Sequence, residues 1–233
     1  MRLDKFLCDM NIGSRSEVKA EMKKGRVTVN GEIIKRPEMQ IKENEDSVCY
    51  LGKEISYTRF QYYMLNKPAG VVSATSDFKS KTVLDLILEE GKEDFFPVGR
   101  LDKDTEGLLL ITNDGELAHK LLSPKKHIPK TYYCKLKSPI LREMEEQLEK
   151  GVDIGEKKET LPAKVEKLSD TEIYLTICEG KFHQVKRMLL AVGNEVVYLK
   201  RVKMGSLILD EELALGEYRR LSEKEIEELK AER

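Results

Sequence analysis

A chain of 233 residues, 40% apolar and with a net charge of −1, can build one large core or two smaller ones. No apolar run approaches the ~18 residues of a membrane span, and Met1-Arg2-Leu3-Asp4-Lys5 lacks the apolar core of a signal peptide, so a cytosolic (cytoplasmic) protein with no membrane association is expected. Cys8, Cys49, Cys134 and Cys178 are scattered, with no Cys-x-x-Cys pair and no histidine at ligand spacing, which argues against zinc and against a disulfide framework.

Leu3, Phe6, Leu7 and Met10 recur at helical spacing. Ser14 with Glu17 forms a capping box for a second helix, which runs through Val18, Ala20 and Met22 and stops at Gly25. Residues 26–34 then alternate about Asn30-Gly31, the strongest short hairpin signal. The wet face of the second helix carries Arg15, Lys19, Lys23 and Lys24, with Arg26 just beyond. Residues 51–60 read as a short polar connection. The expected division is a small N-terminal module at 1–55, a linker at 56–60 and a larger domain at 61–233.

In that larger domain, residues 62–68 read as a strand ended by Pro68 and Gly70. Residues 83–88 read as a short helix and 107–112 as a strand, with Asn113 or Asp114 capping a helix to Leu122. Residues 132–136 and 172–177 alternate in β fashion, 182–192 reads as a helix, and 195–202 reads as a strand. Ser222 with Glu225 is a second capping box, opening a charged terminal helix. Strands and helices mix without regular β-α-β alternation, which predicts an α+β fold on a mainly antiparallel sheet.

Charge is unevenly placed. Residues 1–42 hold ten Lys/Arg against six acids, 117–142 hold seven and no acid, and 180–203 hold six against Glu195 alone. Three basic stretches in a near-neutral chain suggest a polyanion track.

The most concentrated chemistry lies in Gly99-Arg100-Leu101-Asp102-Lys103-Asp104-Thr105-Glu106-Gly107, followed by the apolar run 108–111. The pattern is an acidic turn on the lip of a buried strand, where a rigid element aims a loop. A calcium loop starting at Asp102 would need a bidentate Glu where Asn113 stands. A carbohydrate-type carboxylate pair lacks aromatic platforms, since the chain has no Trp. No G-x-x-x-x-G-K-[ST], strand-linked G-x-G-x-x-G or G-x-S-x-G occurs. What remains is one ionised aspartate acting without a cofactor. An exposed Asp titrates near ~3.9. If it is desolvated, a nearby cation must keep it charged, and Arg100 or the 180–187 segment can supply one.

Met1-Arg2-Leu3-Asp4-Lys5-Phe6-Leu7, Ser14-Arg15-Ser16-Glu17 and Gly25-Arg26-Val27-Thr28-Val29-Asn30-Gly31 together resemble the S4 RNA-binding domain. The run from Gly99 to Gly115 is similar to the signature of the pseudouridine synthases. So are Lys130-Thr131-Tyr132, the stretch from Glu179 to Met188, and Met64-Leu65-Asn66-Lys67-Pro68-Ala69-Gly70. The resemblance spans the whole chain and is nearest the S4-bearing branch acting on small-subunit (16S) ribosomal RNA, of the A type.

That resemblance implies a pseudouridine synthase catalytic domain behind an S4 domain. It implies an isomerase that breaks the uridine N1–C1′ bond and rejoins the base through C5, with no cofactor. It makes Asp102 the nucleophile and Tyr132 the ring that stacks on the flipped base. Lys186 becomes its basic partner where many relatives carry Arg, with Arg187 as the alternative, and Leu199 an apolar wall. Arg100 and Arg187 would contact the RNA, and Arg15, Lys19, Lys23 and Arg26 would grip its backbone. The implied partner is small-subunit rRNA or an assembling ribonucleoprotein, and a monomer is expected. Two rivals stay open: a non-catalytic S4-type RNA-binding or ribosome-assembly protein, and a hydrolase releasing free uracil. Whether Asp102 attacks the ribose or the base also stays open.

Overall fold

The computed structural model describes every residue except 11, 44, 56–59, 90–93 and 233. The chain divides into two compact units, Met1–Gln61 and Tyr62–Arg233. Among the described residues no helix is long and apolar enough to cross a membrane.

In the first unit, α1 (Leu3–Asp9) and α2 (Arg15–Lys23) pack on a four-stranded sheet in the order β2-β1-β3-β4. The strands are β1 (Val27–Val29), β2 (Glu32–Ile33), β3 (Val48–Tyr50) and β4 (Lys53–Ile55). Leu3, Phe6 and Leu7 from α1 meet Val18 and Met22 from α2 over Val27, Val29 and Val48. Ala20 stays exposed, so the apolar stripe of α2 is narrower than the sequence suggests. Ser14 and Glu17 form the reciprocal capping box. Asn30 (φ 51°) and Gly31 (φ 85°) turn the β1–β2 hairpin, both in the left-handed region that a two-residue turn of this kind requires. The polar connection expected from residue 51 onward begins as a second hairpin instead. Leu51 and Gly52, again at positive φ, reverse the chain, and β4 pairs with β3 in register Val48↔Ile55. The polarity there reflects an edge strand facing water. Residues 56–59 of the expected linker lie outside the described residues.

The second unit is one mixed sheet. Its strands are β5 (Tyr62–Lys67), β6 (Phe96–Pro97), β7 (Glu106–Thr112), β8 (Lys130–Leu136), β9 (Lys164–Lys167), β10 (Glu172–Ile177), β11 (Val196–Met204), β12 (Leu207–Ile208) and β13 (Tyr218–Arg220). The order is β13-β5-β7-β11-β8-β10-β9, with β12 on β11 and β6 on β7. The β7–β11 pairing is parallel and the other pairings between these strands are antiparallel. Helices α3 (Gly115–Leu122), α4 (Arg142–Lys150), α5 (Gln184–Ala191) and α6 (Glu223–Ala231) surround it.

Asp114, rather than Asn113, caps α3: its Oδ1 accepts from the Leu117 amide at 3.0 Å and its Oδ2 from the Tyr62 hydroxyl at 2.7 Å. Residues 83–88 shorten to a 3-10 turn over Val83–Leu86. The acidic segment after 141 forms α4, which periodicity misses because Leu148 is its only buried side chain.

β5 and β7 are buried on both faces, which is why each reads as an unbroken run rather than an alternation. Leu108 to Ile111 are fully enclosed. Gly107 lets β7 and β11 approach: at φ 100°, a Cβ there would lie 2.2 Å from the Arg201 carbonyl oxygen. The acidic turn is therefore mounted on an interior strand of the sheet, flanked by β5 and β11.

Candidate active site

Asp102 sits in the turn entering β7, and three groups fix that turn. Lys67, at the end of β5, is fully buried. Its ammonium donates to the carbonyls of Pro68 (3.0 Å), Asp102 (3.1 Å), Lys103 (3.3 Å) and Thr105 (2.8 Å). The Gly70 amide donates to the Lys103 carbonyl at 2.7 Å. Ser73 Oγ accepts from the Leu101 amide at 3.0 Å and donates to the Leu101 carbonyl at 2.9 Å. Burial pulls the Lys67 ammonium down to about 8, against the opposing pull of the Asp104 and Asp102 charges. The Met64–Gly70 block thus contributes a buried cation under the acidic turn.

The carboxylate of Asp102 opens into a cavity of about 700 Å³ built within the second unit. One oxygen faces Lys186 Nζ at 3.4 Å and the other faces His183 Nε2 at 3.5 Å. Lys186 makes its short contact with Asp104 Oδ1, at 2.6 Å, and that hydrogen bond holds the Asp104 carboxyl below the usual range. Two acids thus share one ammonium. Asp102 is ion-paired but not tightly hydrogen-bonded by it, and the carboxylate keeps an open side. Glu106, the third acid of the turn, instead accepts from the Tyr198 hydroxyl at 2.6 Å.

Which basic side chain faces Asp102 is set by the start of α5. His183 lies in the left-handed region (φ 48°), so the helix begins at Gln184, two residues later than periodicity suggests. Lys186 then faces the acidic turn. Arg187 turns away and donates to Glu156 Oε1 at 2.9 Å, to the Phe182 carbonyl at 3.0 Å and to the Ile154 carbonyl. Gln184, the first residue of the helix, is buried and donates to Glu179 Oε1 at 2.8 Å. Phe182 and His183 stack at 3.7 Å between ring centroids, with Phe182 exposed on the cavity rim.

Tyr132 and Leu199 line the same cavity, as does the exposed Arg100. The ion pairs of Asp102 among the described residues run to Lys186 and His183, not to Arg100. Lys130 and Arg201 complete the wall. Sequence reasoning singled out neither as a site residue, although each stands two residues from one it did, on the same face of a strand. In the first unit, Arg15, Lys19 and Lys23 form an exposed stripe at four-residue spacing along α2. Arg26 differs. It and Lys24 both pair with Glu21, at 2.7 and 2.8 Å, and with Tyr50 they lower the Glu21 carboxyl to about 2.

Comparison with known proteins bears on the same two units. The S4 domain family matches residues 1–47, and the family described as RNA pseudouridylate synthase matches residues 61–191. The chain is similar to an uncharacterized RNA pseudouridine synthase of Bacillus subtilis, with 54% identity and 97% of each chain covered. It is also similar to the ribosomal small subunit pseudouridine synthase A of Vibrio cholerae, at 45% identity over 97% of this chain and 98% of that one. For the enzyme of that name from Escherichia coli, identity is 43% over the same shares. A solved structure described as a pseudouridylate synthase superposes with a TM-score of 0.71 at 41% identity, covering 98% of this chain and 99% of the other.

Proposed function

As the chain belongs to the S4-bearing RNA pseudouridine synthases, isomerases that act without net loss or gain of atoms, we propose that it converts one specific uridine of small-subunit (16S) ribosomal RNA to pseudouridine in the cytoplasm, with Asp102 as nucleophile and no cofactor. One observation carries the choice of nucleophile. Asp102 is a half-buried carboxylate on a clamped turn, facing a cavity that also contains Tyr132 and Leu199, with Lys186 Nζ 3.4 Å from one oxygen and His183 Nε2 3.5 Å from the other and no short bond to either.

The chemistry follows from that geometry. A uridine inside folded RNA must be flipped to reach the cavity, at a cost of a few kcal/mol. Tyr132 offers the ring on which the flipped base stacks, and Leu199 the apolar wall beside it. The exposed Arg100 and the Arg15-Lys19-Lys23 stripe supply phosphate contacts that offset the flipping cost. Lys186 stabilises the carboxylate before and after reaction. The base leaves from N1, turns, and rejoins through C5.

Undermodified 16S rRNA incubated with the protein should gain pseudouridine at one position. Asp102→Asn should abolish that product while leaving the Kd for the RNA within about twofold of the parent. A variant that still isomerises uridine would remove Asp102 from the role of nucleophile. Release of free uracil would instead indicate hydrolysis.

A further inference from the structure

Lys130 and Arg201 are enclosed cations in the cavity wall that the reaction as described leaves unused. Strand geometry explains their placement. Along β8, Lys130 and Tyr132 point to the same face, and along β11 so do Leu199 and Arg201. The strands pair antiparallel with Arg201 directly opposite Tyr132 and Met204 opposite Lys130. The two cations therefore sit on the sheet face that carries the stacking tyrosine.

Their partners are incomplete. Lys130 Nζ donates to the Ile128 carbonyl at 2.9 Å, and Arg201 Nε to the Leu108 carbonyl at 2.8 Å. Arg201 Nη2 is buried with no hydrogen-bond partner. Among the described residues neither cation has a carboxylate within ion-pair distance, and Asp102 pairs with Lys186 and His183 instead. Burial and repulsion from Arg201 both lower the Lys130 ammonium from its ordinary value. Two enclosed cations on one sheet face, neither with a carboxylate in ion-pair range among the described residues, are costly to hold. An anion arriving in the cavity would offset that cost.

We propose that Lys130 and Arg201 are catalytic residues that stabilise the negative charge uracil acquires when its bond to ribose breaks. The inference rests on the isomerase reading above. In that step the N1–C1′ bond breaks and its electron pair stays on the base, giving a uracil anion with charge spread over N1 and the ring carbonyl oxygens. After the base turns, the new C5–C1′ bond takes its electron pair from the base. A proton then leaves C5, N1 gains one, and the Asp102 carboxylate is restored. The charge on the base appears whichever centre Asp102 attacks. Fixed cations in a water-poor wall respond to such a charge without reorganising, which makes them far more effective than solvent.

The test is the single-turnover rate and the Kd on undermodified 16S rRNA for Lys130→Met, Arg201→Met, Lys130→Arg and Arg201→Lys. Each Met variant should lose about 100-fold in rate, as removal of one preorganised charge-stabilising group does, with Kd within about twofold of the parent. Arg201→Lys should recover at least about tenfold over Arg201→Met, because charge rather than packing is restored. Near-parental rates in both Met variants, a loss confined to Kd, or no recovery with Arg201→Lys would each overturn the assignment. Should Arg201→Met fail to fold, Lys130→Met and Lys130→Arg decide the question. A parent protein that forms no pseudouridine counts against the isomerase reading, whereas an active parent with equally active Met variants counts against this inference alone.

Discussion

Replacing Lys67 with Met should separate stability from catalysis. The substitution keeps the length of the side chain and removes the ammonium that gathers the Pro68, Asp102, Lys103 and Thr105 carbonyls. The Asp102 carbonyl still accepts from the Thr105 amide, and the Lys103 carbonyl from the Gly70 amide. The Pro68 and Thr105 carbonyls lose their donor, at about 1–3 kcal/mol for each buried group left unpaired. Relief of burial acts in the opposite direction. The fall of the Lys67 ammonium from 10.5 to about 8 corresponds to about 3 kcal/mol of penalty on the charged form, at 1.36 kcal/mol per pKa unit. The two effects largely offset each other, so the folding free energy should change by no more than about 3 kcal/mol. Asp102 meanwhile loses one anchor of its turn, and displacement of a reacting group by ~1 Å can cost about 100-fold in rate.

The pH dependence fixes the sign. The folded-state value of Lys67 lies below the unfolded one. Below about pH 8 both states are protonated and the penalty is fully present; between about 8 and 10.5 the unfolded chain binds more protons, so stability rises with pH. Urea denaturation of parent and Lys67→Met across pH 7–11 should show the parent gaining up to about 3 kcal/mol relative to the variant, the tyrosines cancelling in the difference. Parallel stability curves would refute the buried-ammonium account, and an unchanged rate of pseudouridine formation would refute the anchoring of the turn.

Two further outcomes follow from the fold. Gly107→Ala forces a Cβ to 2.2 Å from the Arg201 carbonyl at φ 100°, so it should cost at least ~3 kcal/mol and lower Tm by about 10 °C, whereas Gly115→Ala, with open space around it, should leave Tm nearly unchanged in the same scan. Changing Arg15, Lys19 and Lys23 together to Gln should weaken rRNA binding and reduce the slope of log K against log salt by about 2–3, while leaving the single-turnover rate at saturating RNA intact. Lys24 and Arg26, whose charges Glu21 already offsets, should change that slope less.

The sequence by itself determined what neighbouring residues decide among themselves. The capping boxes at Ser14 and Ser222 and the Asn30-Gly31 hairpin arise from contacts within a few residues, and each appears where its motif stands; the run from Leu108 to Ile111 was legible because a strand buried on both faces carries no polar alternation. The ordered blocks around Asp102, Tyr132 and Lys186 likewise carried the family. Tertiary structure decided what depends on chain segments far apart. Lys186 rather than Arg187 faces Asp102 because His183, in the left-handed region, delays the start of α5 and sets the rotation of that helix. Asp104 looks like an ordinary turn residue until Lys186, 82 positions away, is laid against it. Lys67 reads as a strand-ending lysine until the acidic turn closes over it. Lys130 and Arg201 become one wall only through the β8–β11 register. Periodicity reports which face a side chain occupies, but strand pairing, a long-range choice made when the sheet assembles, determines which faces meet.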